Sequence, residues 1–180
     1  MEISKTKIEG LLIIKPKVFS DSRGYFFESF RLDKFKEMGI ELDFVQDNES
    51  KSQKGVLRGL HFQNPPYEQG KLIKVVKGTV LDVAVDIRKG SPTYGQWVSH
   101  ELSEYNKTMF WIPPGFAHGF LTLEDDTIFQ YKCTNYYNKE SEGSIRWNDP
   151  DLNIDWGTSE PSLSKKDTKS PFFRDFKSNF

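Results

Sequence analysis

A chain of 180 residues is long enough to bury one sizeable core, and a single domain over residues 1–180 is expected. Its 25 Lys and Arg against 26 Asp and Glu leave a net charge of -1, which excludes a global pull toward nucleic acid or an anionic membrane; any anionic ligand must be held by a few local cations. The single cysteine, Cys133, excludes an intramolecular disulfide, and the apolar run LLII is too short for a secretory or membrane-spanning segment, so a cytoplasmic protein with Cys133 as inert packing is expected.

Along the chain, short stretches of alternating β-favouring residues are punctuated by Gly, Pro and Asn about every ten residues. Strands are predicted at LLIIKP (11–16) and GYFFESF (24–30). LDKFKEM (32–38) follows as the one predicted helix, with Leu32, Phe35 and Met38 at helical spacing and Gly39 as a left-handed stop. Further strands are predicted at DFVQDNES (43–50), GVLRGLHF (55–62), GKLIKVVK (70–77), TVLDVAVDIR (79–88), QWVSHELS (96–103), TMFWIPP (108–114), AHGFLTL (117–123) and IFQYKCT (128–134). In TVLDVAVDIR, Leu81, Val83, Val85 and Ile87 point one way and Asp82, Ala84, Asp86 and Arg88 the other, which is the period of a strand with two different faces. The tail after Trp156 is polar, with SLSKKD (162–167) expected to fold back over the body. About ten short strands and one short helix make an all-β sandwich or barrel.

The chain has three histidines. His100, in SHELSE, reads as a solvated strand position. His61, in RGLHFQ, and His118, in IPPGFAHGF, lie on short apolar strands, and two such histidines on rigid strands suggest a cleft. A metal-dependent cupin would place a second histidine two residues after His61, where this chain has Gln63, a poor ligand; a metal site from His61, His118 and Glu68 is therefore not expected. A second conflict is geometric. Strict alternation puts Arg58 and His61 on opposite faces, and Gly59 between them predicts a bulge that would bring them to one face.

Eight stretches in order, FSDSRGYFFESF, FVQDNES, GVLRGLHFQNPPYEQGKLIKVVKG, DVAVDIRKGSPTYGQW, WIPPGFAHGF, YKCTNYY, IRWNDPDLNIDW and LSKKD, resemble the dTDP-4-dehydrorhamnose 3,5-epimerase family from about residue 10 to residue 170. The resemblance implies a cupin-type jelly roll with no metal and no cofactor, a homodimer, and a nucleotide-sugar substrate, dTDP-4-keto-6-deoxy-D-glucose. That substrate carries its invertible protons at C3 and C5, both alpha to the C4 ketone. Inversion then requires a base on one face, an acid on the other and a cation at the ketone oxygen. By resemblance His61 is the base, oriented by Asp167; Tyr131 is the proton donor; and Lys71 meets the oxyanion. Arg23, Glu28, Gln46, Asp47, Asn48, Arg58, His118, Glu142 and Lys166 match substrate-binding positions, with the arginines suited to the diphosphate. The resemblance also implies that the N-terminal strand and GYFFESF reach a partner subunit, so that Arg23 and Glu28 are expected to serve the other chain's pocket. Two other readings stay open: an epimerase acting at one carbon of a related keto-sugar, and a non-catalytic cupin that binds sugar nucleotides.

Overall fold

The alternating segments pair into antiparallel ladders. The computed structural model describes residues 1–41 and 43–180. Its strands are β1 (Glu2–Lys5), β2 (Leu12–Lys15), β3 (Phe19–Asp21), β4 (Gly24–Phe26), β5 (Gln46–Ser52), β6 (Leu57–Gln63), β7 (Lys71–Lys77), β8 (Thr79–Asp86), β9 (Trp97–Ser103), β10 (Met109–Ile112), β11 (Phe116–Thr122), β12 (Thr127–Cys133) and β13 (Glu142–Ser144), with one helix, α1 (Leu32–Glu37). One sheet has the order β1-β2-β10-β7-β12-β5 and the other β13-β6-β11-β8-β9; β3 and β4 form a separate hairpin. This is a jelly-roll barrel of the cupin type.

The period of two sorts each strand's side chains between three apolar layers. Ile13, Ile73, Val75, Val80, Ala84, Phe110, Phe120 and Phe129 fill the space between the sheets. Leu57, Leu60, Phe62, Val83, Val85 and Leu121 form the outer face of the five-stranded sheet and are covered by Trp156, Phe173, Phe176 and Phe180 from the tail. Ile14, Leu72, Met109 and Trp111 form the outer face of the other sheet, under Phe35 of α1. The faces of β8 do differ as its alternation predicts, and both are buried: Asp82 and Asp86 are fully enclosed. The tail folds back as expected, with Ser162 bridging Val56 in parallel and its carbonyl accepting from the Leu57 N–H at 3.0 Å.

Several expectations need correction. GYFFESF is a strand only over Gly24–Phe26; Phe30 turns inward and packs on Phe35, with ring centroids 5.1 Å apart. The LLII strand lies inside its own sheet between β1 and β10, while β1 forms the sheet's edge and the β3–β4 hairpin pairs with neither sheet. No helix among the described residues is long and apolar enough to cross a membrane.

Candidate active site

The bulge expected at Gly59 is present. His61 faces His118 and Arg58 faces Phe120, so Gly59 and Leu60 of β6 stand opposite the single residue Gly119. Leu57, Leu60 and Phe62 thereby stay on the outer apolar face while Arg58 and His61 both line the cavity between the sheets. Only glycine fits here. Gly59 has φ +135, and a Cβ would stand 2.5 Å from Gly119 Cα and 2.9 Å from the His118 carbonyl oxygen.

That cavity, of about 230 Å³, is lined by Arg58 and His61 from β6, Lys71 from β7, His118 from β11, Tyr131 from β12, and Asp167 from the tail. His61 donates from Nε2 to Asp167 Oδ1 at 2.6 Å. The other carboxylate oxygen accepts from Ser164 Oγ at 2.8 Å, and the Asp167 N–H returns a bond to Ser164 Oγ at 3.1 Å. Asp167 is 2% exposed. Burial pushes its carboxyl up, but the bonds from His61 and Ser164 together outweigh that and hold it below the ordinary carboxylate range. An ionised Asp167 keeps the proton on His61 Nε2 and leaves Nδ1 with a free lone pair.

Tyr131 lies across the cavity from the dyad, and burial pushes its phenol up to about 12. It is therefore a hydroxyl throughout the neutral range, with a proton to give. Lys71 Nζ lies 5.8 Å from the centre of the Tyr131 ring. Burial lowers the ammonium pKa, and the opposing pull of Cys133, Asp82 and Glu142 is smaller. Among the described residues Lys71 Nζ has neither a hydrogen bond nor an ion pair, which leaves it available to an anionic oxygen in the cavity.

His118 is buried, and its Nε2 lies 3.0 and 2.9 Å from the two oxygens of Asp82. Burial disfavours both charges, moving Asp82 up and His118 down. The two histidines of a metal cupin's donor set are engaged by aspartates, while the Glu68 Oε2 is buried with no hydrogen-bond partner among the described residues. Each histidine gives Nε2 to its own aspartate, and the Gln63 amide is used to anchor loops, donating to the Tyr67 and Tyr136 carbonyls and accepting from the Asn138 N–H. Among the described residues no three His, Cys, Asp or Glu side chains are grouped so as to hold a metal ion.

The profile of the family described as dTDP-4-dehydrorhamnose 3,5-epimerase matches residues 5–175. The chain belongs to this family. It is 54% identical over 176 residues to the dTDP-4-dehydrorhamnose 3,5-epimerase of Shigella flexneri, covering 97% of each. A crystal structure of the Legionella pneumophila dTDP-6-deoxy-D-glucose-3,5-epimerase in complex with dTDP-4-keto-L-rhamnose superposes with a TM-score of 0.94 at 53% identity, over 98% of this chain and 94% of that one. A 3'-monoepimerase from Streptomyces bikiniensis in complex with dTDP-quinovose is more distant, with a TM-score of 0.88 at 36% identity, over 93% of this chain and 85% of that one.

Not every residue that matches the epimerase family's motifs lines the cavity. Asp47 and Asn48 line an adjoining space of about 260 Å³ that shares Glu49 and Tyr131 with it. Gln46 donates to Asn48 Oδ1 at 3.1 Å, while Asp47 turns outward to Lys132 Nζ at 2.9 Å. Glu142 of β13 pairs with Lys166 of the tail. Arg23 and Glu28 stand apart: Arg23, with its side chain 88% exposed, pairs with Asp21 on the hairpin, and Glu28 pairs with Arg31. His100 is half-buried opposite Asp82, with its pKa lowered by burial, rather than solvated.

Sequence reasoning missed Ser164 and Asp82, the partners of Asp167 and His118, and Ser52, whose Oγ accepts from Arg58 Nε at 3.3 Å and Nη2 at 3.1 Å. It also missed Ser50, whose buried Oγ has no partner and whose residue lines the cavity. Asp82 carried a readable signal, an aspartate on the inward side of a strand whose other face is wholly aliphatic.

Proposed function

We propose that this chain epimerises dTDP-4-keto-6-deoxy-D-glucose at C3 and C5 to dTDP-4-keto-L-rhamnose without a cofactor. The observation that carries the reading is the convergence of an oriented imidazole, a protonated phenol and an unpaired ammonium on one cavity. His61, through Nδ1, takes the proton alpha to the ketone. Lys71 neutralises the enolate oxygen, and Tyr131 returns a proton from the other face. Each inversion begins and ends with the same bonds, so no oxidant or reductant is consumed. Arg58 holds the diphosphate as an ionic fork, with Gln46, Asp47, Asn48, His118, Glu142 and Lys166 completing the nucleotide-sugar site.

The hairpin supports a homodimer. Phe19, Tyr25 and Phe26 on it are 54, 58 and 66% exposed, an apolar patch on a protrusion that also carries Arg23. In this reading Arg23 and Glu28 serve the partner's pocket, and the chain is one catalytic domain working in the cytoplasm on a nucleotide-activated sugar. The test is an NMR assay of the purified protein with the 4-keto-6-deoxy substrate in deuterated water. Deuterium at both C3 and C5 with both centres inverted is expected. Inversion at C3 alone would favour the single-carbon reading, which the Streptomyces bikiniensis relative supports, and no exchange at either carbon would leave a binding protein.

A further inference from the structure

The His61–Asp167 bond joins two segments 106 residues apart. One short strand touches both. β13 pairs with β6 so that Ser144 faces His61, and Ile145 extends the ladder by exchanging N–H···O bonds with Leu60 at 3.1 and 3.0 Å. β13 also reaches the tail around Asp167. Glu142 pairs with Lys166, and Ser170 Oγ donates to Ser144 Oγ at 2.9 Å.

Arg146 makes the largest number of these contacts. Its backbone N–H donates to the Pro171 carbonyl at 2.8 Å, its Nε to the Ser170 carbonyl at 3.0 Å and its Nη2 to the Thr168 carbonyl at 3.4 Å. The guanidinium also lies 4.4 Å from the centre of the Phe172 ring. Among the described residues it has no carboxylate partner. An arginine whose guanidinium holds two carbonyls just beyond one carboxylate, with its backbone N–H on a third, fixes the backbone that carries that carboxylate. Lys166, at the N-cap of the short 3₁₀ turn Asp167–Lys169, makes no capping bond, and the turn is held from its N-terminal side by Ser164 Oγ, which accepts from the Asp167 N–H.

We propose that Arg146 is a positioning residue: it locks the turn bearing Asp167 in register with β6 and so sets the orientation of the His61 imidazole. The inference rests on the reading of His61 and Asp167 as the catalytic dyad. Arg146 does not line the cavity. Its loss therefore acts chiefly on turnover.

The experiment compares Arg146→Met, Arg146→Lys, Asp167→Asn and Arg146→Met/Asp167→Asn with the wild-type protein in steady-state epimerisation. Arg146→Met is expected to lower kcat by roughly 10- to 100-fold, the range for a small misplacement of a reacting group, with KM changed by less than about threefold. Arg146→Lys, which keeps the charge and one donor, is expected to fall between, and it carries the test if the methionine variant does not fold. The double variant is expected to be no slower than Asp167→Asn alone, because both changes act through one carboxylate. Wild-type kcat in the folded Arg146 variants, a loss confined to KM, or losses that multiply with Asp167→Asn would overturn the inference. Wild-type turnover by Asp167→Asn would instead remove the dyad itself and the inference with it.

Discussion

A histidine becomes a useful base only when its tautomer is fixed, and in this chain a carboxylate that is itself held by a serine fixes it. His61→Asn removes the proposed base, so exchange and product formation should fall together by about 10²-fold or more. Asp167→Asn keeps the shape of the site but no longer demands a donor at His61 Nε2, so the ring can turn its proton toward the substrate. We expect it to fold and bind with turnover reduced on the order of 10²- to 10⁴-fold, measured as kcat in deuterated and ordinary water. Wild-type kcat in either variant would take the dyad out of the mechanism. At this scale the sequence was informative where chemistry-bearing residues lay on apolar strands, as with His61 and His118, whereas Tyr131 was legible only through the resemblance to the family. It was silent on Ser164 and Ser52, because a serine beside a charged group looks like any surface serine until the fold delivers its partner.

At the scale of the element, period-two alternation made the long strands legible, because each buries one side against the space between the sheets. β1 and β13 escaped for the converse reason. EISK and EGS bury no apolar face, and they are strands only because β2 and β6 offer open edges. The bulge was legible from a conflict, since two residues wanted in one cavity were three apart with a glycine between them. Gly59→Ala should test it. The added methyl meets the backbone of β11 at a positive φ, a cost of about 2–4 kcal/mol in stability, together with misalignment of Arg58 and His61 that lowers kcat. Unchanged urea unfolding and unchanged kcat would contradict the bulge.

The turn after β8 offers a second element to measure. Asp86 accepts from Arg88 Nη2 at 2.7 Å, Ser91 Oγ at 2.6 Å and Thr93 Oγ1 at 2.6 Å. Burial alone would raise its carboxyl, but these bonds outweigh burial and hold it at about 2. Its folded pKa is depressed, so its stabilisation is present above about pH 4 and is lost as pH falls toward about 2, an effect on the order of 2 kcal/mol. Asp86→Asn should unfold at lower urea at neutral pH and show a flatter fall in stability across that window. Equal slopes in the two proteins would contradict the assignment.

For the whole molecule, Arg23 on the exposed hairpin, proposed to serve the partner's pocket, implies a site completed only by a second chain. Mixing settles whose pocket it serves. Arg23→Ala and His61→Asn should each be nearly inactive, and subunit exchange between them should restore activity, because one pocket of each mixed dimer then carries both changes and the other carries neither. A mixture no more active than its parts would place Arg23 at its own chain's pocket or at none, and a monomer by sedimentation at micromolar concentration would remove the dimer. The central claim is that His61 and Tyr131 work on opposite faces of one sugar ring, and Tyr131→Phe in deuterated water tests it most directly. The variant loses one hydroxyl and keeps the base and Lys71. It should still incorporate deuterium at the carbons alpha to the ketone, returned by His61 on the original face, while net inversion falls much further than exchange. Undiminished inversion, or equal loss of exchange and inversion, would contradict the account.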